Sequence, residues 1–206
     1  RRGFEVDLCE KDSKLGGMLW PAGGPDFKAD VLKLIKYLET QCHKIGVNIE
    51  LNKAATPDNI KGLDYDRIIL ATGANPAKPP IEGMEKTVLA TDYLTHQATT
   101  GNDVVIIGAG LAGTEAACDI AGQGKNVTLI EMLPDILALA NHCLNNDQHL
   151  RNMVKDRGVH VVAGAKVTKI TDDTVTYKVV VVGDAVSPRK ILTAIHEGYH
   201  AIRVME

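Results

Sequence analysis

Gly108, Gly110 and Gly113 stand in a Gly-x-Gly-x-x-Gly spacing, directly after the apolar run Val104-Val105-Ile106-Ile107 and directly before a helix-like stretch. In that order of strand, tight turn and helix, Gly108 makes the turn, Gly110 lets a pyrophosphate approach the backbone, and Gly113 lets helix and strand pack closely. Leu111 and Ala112 open the helix, whose N-terminus holds the anion. A second strand follows at Lys125–Ile130 and ends in Glu131, 18 residues past Gly113, where a carboxylate suits a ribose diol. A glycine turn of an unrelated α/β fold is the bland alternative, but strand, helix, second strand and acid all arrive in register. Glu131 would repel a ribose 2′-phosphate, and Met132 and Leu133 bring no arginine to hold one. NAD is therefore expected over NADP.

The elements around this unit repeat it in part. Gly3-Phe4-Glu5-Val6-Asp7-Leu8-Cys9-Glu10 matches Gly124-Lys125-Asn126-Val127-Thr128-Leu129-Ile130-Glu131 at a constant offset of 121. The expectation is a second dinucleotide unit whose first strand and glycine turn precede Arg1. Asp26 to Gln41 carries Val31, Leu34, Ile35 and Leu38 at helical spacing, and Val47 to Leu51 alternates like a strand. Tyr65 to Leu70 is expected as a strand ending in Ala71-Thr72-Gly73, where small residues let backbone meet a ligand. Asn75 to Pro80 cannot continue a helix or central strand, which puts a domain boundary at about residues 74 to 101. Val179 to Val182 is expected as a buried strand, followed by Gly183-Asp184, a Ser187-Pro188 helix start and a helix to about Val204. Asp184 could accept hydrogen bonds from a polyol chain, or the pair could be a plain strand-end turn.

Composition narrows the classes. The 206 residues are 45% hydrophobic and 24% charged, as in soluble globular proteins. A net charge of −3, with no basic stripe and with one Trp, five Tyr and two Phe, argues against a nucleic-acid partner. No apolar run approaches the about 20 residues of a membrane span. Cys9, Cys42, Cys118 and Cys143 lie 33, 76 and 25 positions apart, so neither a metal-ligand spacing nor a Cys-x-x-Cys is present, and a cytoplasmic protein is expected.

The order Glu10-Lys11 with Leu15-Gly16-Gly17, then Ala71-Thr72-Gly73, the glycine turn with Glu131, and Gly183-Asp184 resembles the two-dinucleotide-domain flavoprotein reductases. More narrowly, Gly183-Asp184-Ala185 running into Pro188-Arg189-Lys190-Ile191 and Ala194-Ile195-His196-Glu197-Gly198 resembles the C-terminal reductase half of the enoate reductase, 2,4-dienoyl-CoA reductase and trimethylamine dehydrogenase family. The resemblance implies an α/β fold of two Rossmann-like three-layer domains. An FAD domain would be formed by residues 1–95 and 179–206, with an NAD domain, residues 96–178, inserted in it. It implies that Glu10 binds the FAD adenosine ribose with Lys11 beside it, that Gly16 and Gly17 run past the flavin, and that Ala71, Thr72 and Gly73 line the FAD phosphates. Gly183 and Asp184 would hold the ribityl chain, and Ile191 and Leu192 would face the flavin ring. NADH bound at Gly108, Gly110, Leu111, Ala112, Gly113 and Glu131 would reduce FAD. Electrons would then pass to a preceding barrel domain with FMN and a 4Fe-4S cluster, which reduces the enoate or enoyl-type substrate and is not in this chain. Tyr177-Lys178 passes straight into Val179 where relatives carry several tens of residues, so a segment is expected to be lacking there.

Other patterns carry less. His196 and His200 have the i, i+4 spacing of a metal pair, but the pattern is His-Glu-Gly-Tyr-His and no third ligand is evident, so no metal is expected. Trp20 could stack on a flavin or anchor an interface, and the interface is favoured. No catalytic side chain is nominated, because position rather than acid/base chemistry is what a hydride relay needs of the protein. A disulfide-type reductase would need a paired-cysteine motif near the flavin. A non-catalytic module holding ADP or NAD for structure or regulation is the rival from another class.

Overall fold

The computed structural model describes residues 2–139 and 144–179. The chain forms two compact units, Arg1–Pro76 and Ala77–Glu206.

In the first unit, strands β1 (Asp7–Cys9) and β2 (Asn48–Glu50) pair in parallel, with Asp7 opposite Asn48 and Cys9 opposite Glu50. Parallel neighbours need a crossover. It is made by α1 (Leu19–Ala22), a 3-10 turn (Asp26–Lys28) and α2 (Asp30–Lys44), which buries Ile35. The expected helix start at Asp26 moves to Asp30 because the backbone leaves extended Pro25 through the 3-10 turn first. A short α3 (Pro57–Ile60) is held by a capping box in which Thr56 N–H donates to Asn59 Oδ1 at 2.7 Å and Asn59 N–H to Thr56 Oγ1 at 3.3 Å.

The expected strand at Tyr65–Leu70 does not form: the run is irregular, and Ile69 and Leu70 are 87% and 80% exposed. Its β-branched residues say only that it would suit a half-buried pleated surface. No neighbouring strand pairs with it among the described residues, and Tyr65 is tied instead by its side chain, the phenol donating to Asp7 Oδ2 at 2.7 Å.

The second unit begins with a 3-10 turn (Met84–Lys86) and α4 (Ala90–Leu94). A β-α-β-α-β run follows: β3 (Asp103–Ile107), α5 (Leu111–Gly122), β4 (Asn126–Ile130), α6 (Leu144–Asp156) and β5 (His160–Val162). The three strands are parallel in the order β3-β4-β5, with Asp103 opposite Asn126, Ile107 opposite Ile130, and Ile130 opposite Val162. This is a Rossmann-type mononucleotide half. An antiparallel hairpin of β6 (Ala165–Ile170) and β7 (Val175–Val179) closes it, with a register shift between Val167 and Lys169. Ile130, Ala165, Val167 and Ile170 form a core cluster on which Ile81, Met84, Ile107, Val162 and Val175 pack. Ile81 and Met84 thus belong to this core, and the break between units precedes them. Burying such side chains contributes about 1.5–3 kcal/mol each. Among the described residues no helix is long and apolar enough to cross a membrane.

Candidate functional site

The glycine turn sits where β3 hands over to α5. Gly108 extends the ladder, its N–H donating to Ile130 O at 2.8 Å, and then turns with φ +94°, a region costly for any residue with a Cβ. A Cβ at Gly113 would collide with the Gly108 carbonyl oxygen, so the helix can approach the strand only without one. At Gly110 a Cβ would meet nothing within 4 Å. That exposed, open surface at the first turn of α5 is where a pyrophosphate needs bare backbone, and Leu111 and Ala112 are exposed beside it. Gly108 and Gly113 thus meet backbone demands that a Cβ would break, and the open backbone at Gly110 leaves room that a dinucleotide phosphate would fit.

Glu131 stands one residue beyond β4, its N–H donating to Val162 O at 2.9 Å and its C=O accepting from Ala165 N–H at 2.8 Å. With both sides of its backbone held, the side chain turns into the glycine loop and is only 8% exposed. Its Oε2 accepts the Ala109 N–H at 2.6 Å and its Oε1 the Leu133 N–H at 2.8 Å. A carboxylate has about four lone-pair positions, so two backbone donors orient it and leave acceptor capacity for ribose hydroxyls.

Ala109 is buried, and the same loop takes its other polar group: Leu137 N–H donates to Ala109 O at 2.8 Å, as does Thr114 Oγ1 at 3.2 Å. Leu137 is itself buried with φ +59°. The turn before it is gripped from α6 by Arg151, which donates to Ile136 O at 2.7 Å, Asp135 Oδ1 at 2.9 Å and Asp147 Oδ1 at 2.7 Å. The two carboxylates hold the guanidinium pKa above its ordinary value, Asp135 most strongly. Sequence reasoning missed Ala109, Asp135, Leu137 and Arg151. The i, i+4 spacing of Asp147 and Arg151 was a readable signal for that pair alone.

The first unit repeats the acid's geometry. Glu10 also stands one residue past its strand, its N–H donating to Glu50 O at 2.9 Å, and its Oε1 accepts the Asp12 N–H at 3.0 Å. Glu131 does the same through Val162 and Leu133. Lys11 is exposed in the bend that follows. Gly16 and Gly17 both have positive φ, but Gly16 is covered by Trp20, whereas nothing stands within 4 Å of a Cβ at Gly17. Trp20 is tied within its own segment: its indole N–H donates to Leu15 O at 2.7 Å and Lys14 Nζ lies 3.8 Å from its ring centroid. Glu10 and Gly17 fit a nucleotide and a close-lying ring.

Ala71, Thr72 and Gly73 lie in an exposed segment outside any strand. Gly183, Asp184, Ile191 and Leu192, and the His196/His200 pair, lie outside the described residues. Among the described residues no group of three or more His, Cys, Asp or Glu could hold a metal ion.

Residues 26–195 match the family model described as pyridine nucleotide-disulphide oxidoreductase. A cinnamate reductase of Clostridium sporogenes is 41% identical over 173 residues, which cover 84% of this chain and 26% of that protein. An NADH oxidase of Thermoanaerobacter brockii is 38% identical over 142 residues, covering 66% of this chain and 22% of that one. Among solved structures, a 2-naphthoyl-CoA reductase in complex with 2-naphthoyl-CoA superposes with a TM-score of 0.78 at 26% identity, covering 97% of this chain and 36% of its own. The chain thus spans about a quarter of the two curated relatives and about a third of the solved chain.

Proposed function

Because the chain belongs to the pyridine nucleotide-disulphide oxidoreductase family, whose members bind FAD and NAD(P)H, we propose that it is the NADH-dependent flavin-reducing part of a longer enzyme. The observation that carries this is the Glu131 carboxylate, oriented by the Ala109 and Leu133 amides beside an open glycine turn. NADH, when bound, supplies a hydride, and FAD accepts its two electrons. The protein's part is positional. The α5 N-terminus with Gly110, Leu111 and Ala112 receives the NADH pyrophosphate, and Glu131 accepts from the adenosine ribose. Glu10 plays the same part for FAD, with Lys11, Gly16, Gly17, Ala71, Thr72, Gly73, Gly183, Asp184, Ile191 and Leu192 completing that site. Residues 1–95 and 179–206 constitute the FAD domain and 96–178 the inserted NAD domain, with Ile81 and Met84 of the connecting stretch packed on the NAD side against the cluster of Ile130.

Downstream, electrons leave to a barrel domain carrying FMN and a 4Fe-4S cluster, where an enoate or enoyl-type acceptor is reduced. The names of the cinnamate reductase and 2-naphthoyl-CoA reductase support a conjugated acyl acceptor, since each denotes an unsaturated system next to a carboxyl or thioester carbon. The test is a visible spectrum of the purified chain, release of the chromophore by denaturation to tell FAD from FMN, and anaerobic addition of NADH. Bleaching of bound FAD is expected. A flavin that binds and stays oxidised would defeat the proposal.

One observation favours a second reading, a non-catalytic nucleotide module: the NAD turn is fully formed while Ala71–Gly73 stands outside any sheet. With FAD present, NADH-driven reduction of ferricyanide separates the two, because the module would bind NADH without turnover.

A further inference from the structure

Leu137 is a buried leucine in the left-handed region, a conformation that persists only where neighbours over-determine it. Two bonds do so here. Its own N–H reaches Ala109 O in the glycine turn, and Arg151 takes the preceding carbonyl, Ile136 O, while also holding Asp135. A continuous chain of contacts therefore runs from the guanidinium on α6, through the 135–137 turn, to Ala109 between the first two glycines, whose N–H is in turn held by Glu131. Asp147 braces Arg151 from one helical turn earlier on α6.

We propose that Arg151 is a positioning residue for the dinucleotide site: it touches no cofactor, and it holds the 135–137 turn so that Leu137 fixes Ala109 and Glu131 in the pose that receives the ADP half of NADH. This rests on the reading of the glycine turn as the NADH site.

Arg157 supplies the control. It follows the same helix and also gives its guanidinium to a backbone carbonyl, Cys118 O at 2.8 Å, but toward the far end of α5 from the glycine turn. The experiment titrates the full chain with NADH and, separately, with ADP-ribose, and records thermal unfolding of each unliganded variant. Arg151→Met is expected to weaken both ligands by about tenfold. Arg157→Met is expected to lower the unfolding temperature while leaving both affinities unchanged. Arg151→Lys keeps the charge but loses the fork that spans three acceptors, so it should fall between Arg151→Met and wild type; it carries the comparison if the methionine variant does not fold. Unchanged affinities in the Arg151 variants, or equal losses at Arg151 and Arg157, would overturn the inference. A wild-type chain that binds neither ligand would overturn the site reading itself, which is a separate result.

Discussion

Glu131 and Ala109, 22 positions apart, are joined by a buried hydrogen bond of 2.6 Å from the alanine amide to the carboxylate. The acid proposed for the ribose and the turn proposed for the pyrophosphate are therefore tied directly to each other. Removing the acid should cost more than a ribose contact.

Glu131→Ala leaves the buried Ala109 N–H without its acceptor, which costs about 1–3 kcal/mol of stability, and NADH affinity should fall by about tenfold or more. Chemical denaturation and a fluorescence titration read the two effects. Unchanged NADH affinity would remove Glu131 from the site.

Gly110→Ala and Gly113→Ala should separate binding from folding. The first adds a methyl in open space at φ −70°, so stability should stay within about 0.5 kcal/mol while NADH binding drops at least about tenfold. The second drives a methyl into the Gly108 carbonyl and should destabilise the chain by about 1–3 kcal/mol. The two variants showing the same pattern would contradict the division of labour among the glycines.

NADPH should bind more weakly than NADH by about tenfold or more, because its 2′-phosphate would meet the Glu131 carboxylate at a site with no described free arginine: Arg151 is already committed to Asp135 and Asp147. Competition titrations test this. Glu131→Ala should narrow the gap, and equal affinities in wild type would refute it.

The Asp7–Tyr65 contact makes a pH prediction. The Tyr65 hydroxyl, ahead of the Asn48 amide, holds the Asp7 carboxyl below its ordinary value, and Asp7 holds the Tyr65 phenol above its own. Folded Asp7 has the lower pKa, so its contribution is present above the ordinary carboxylate value and is lost as pH falls through the folded one. Folded Tyr65 has the higher pKa, so its contribution is complete below the ordinary phenol value and is lost as pH rises through the folded one. The bond thus stabilises across the neutral range and fails at both ends. Ultraviolet titration should show the Tyr65 phenol ionising late, and Tyr65→Phe should lower the late amplitude by one phenol; an unchanged late amplitude in the variant would assign it elsewhere.

Much of the second unit was legible because its determinants are local or periodic. Gly108, Gly110 and Gly113 announce a tight turn between strand and helix, the β-branched run before them announces a strand, and Glu131 follows at the distance one helix and one strand require. The likeness of Glu10 to Glu131 was also readable as a 121-residue offset, and it returns in space as the same pair of backbone bonds.

The rest depended on contacts between distant residues. Tyr65–Leu70 has the residues of a strand, but strand formation needs a partner, which propensity does not specify. Nothing local marks Leu137 for a left-handed backbone, or Arg151 as its support, because that conformation is held by Ala109 and α6 rather than by the residue itself. By itself the sequence determined the glycine turn and the acid that follows it, since turn conformation and charge are properties of single residues. Only the tertiary structure decided how the site is held, because buried hydrogen-bonding groups must find acceptors wherever the fold brings them.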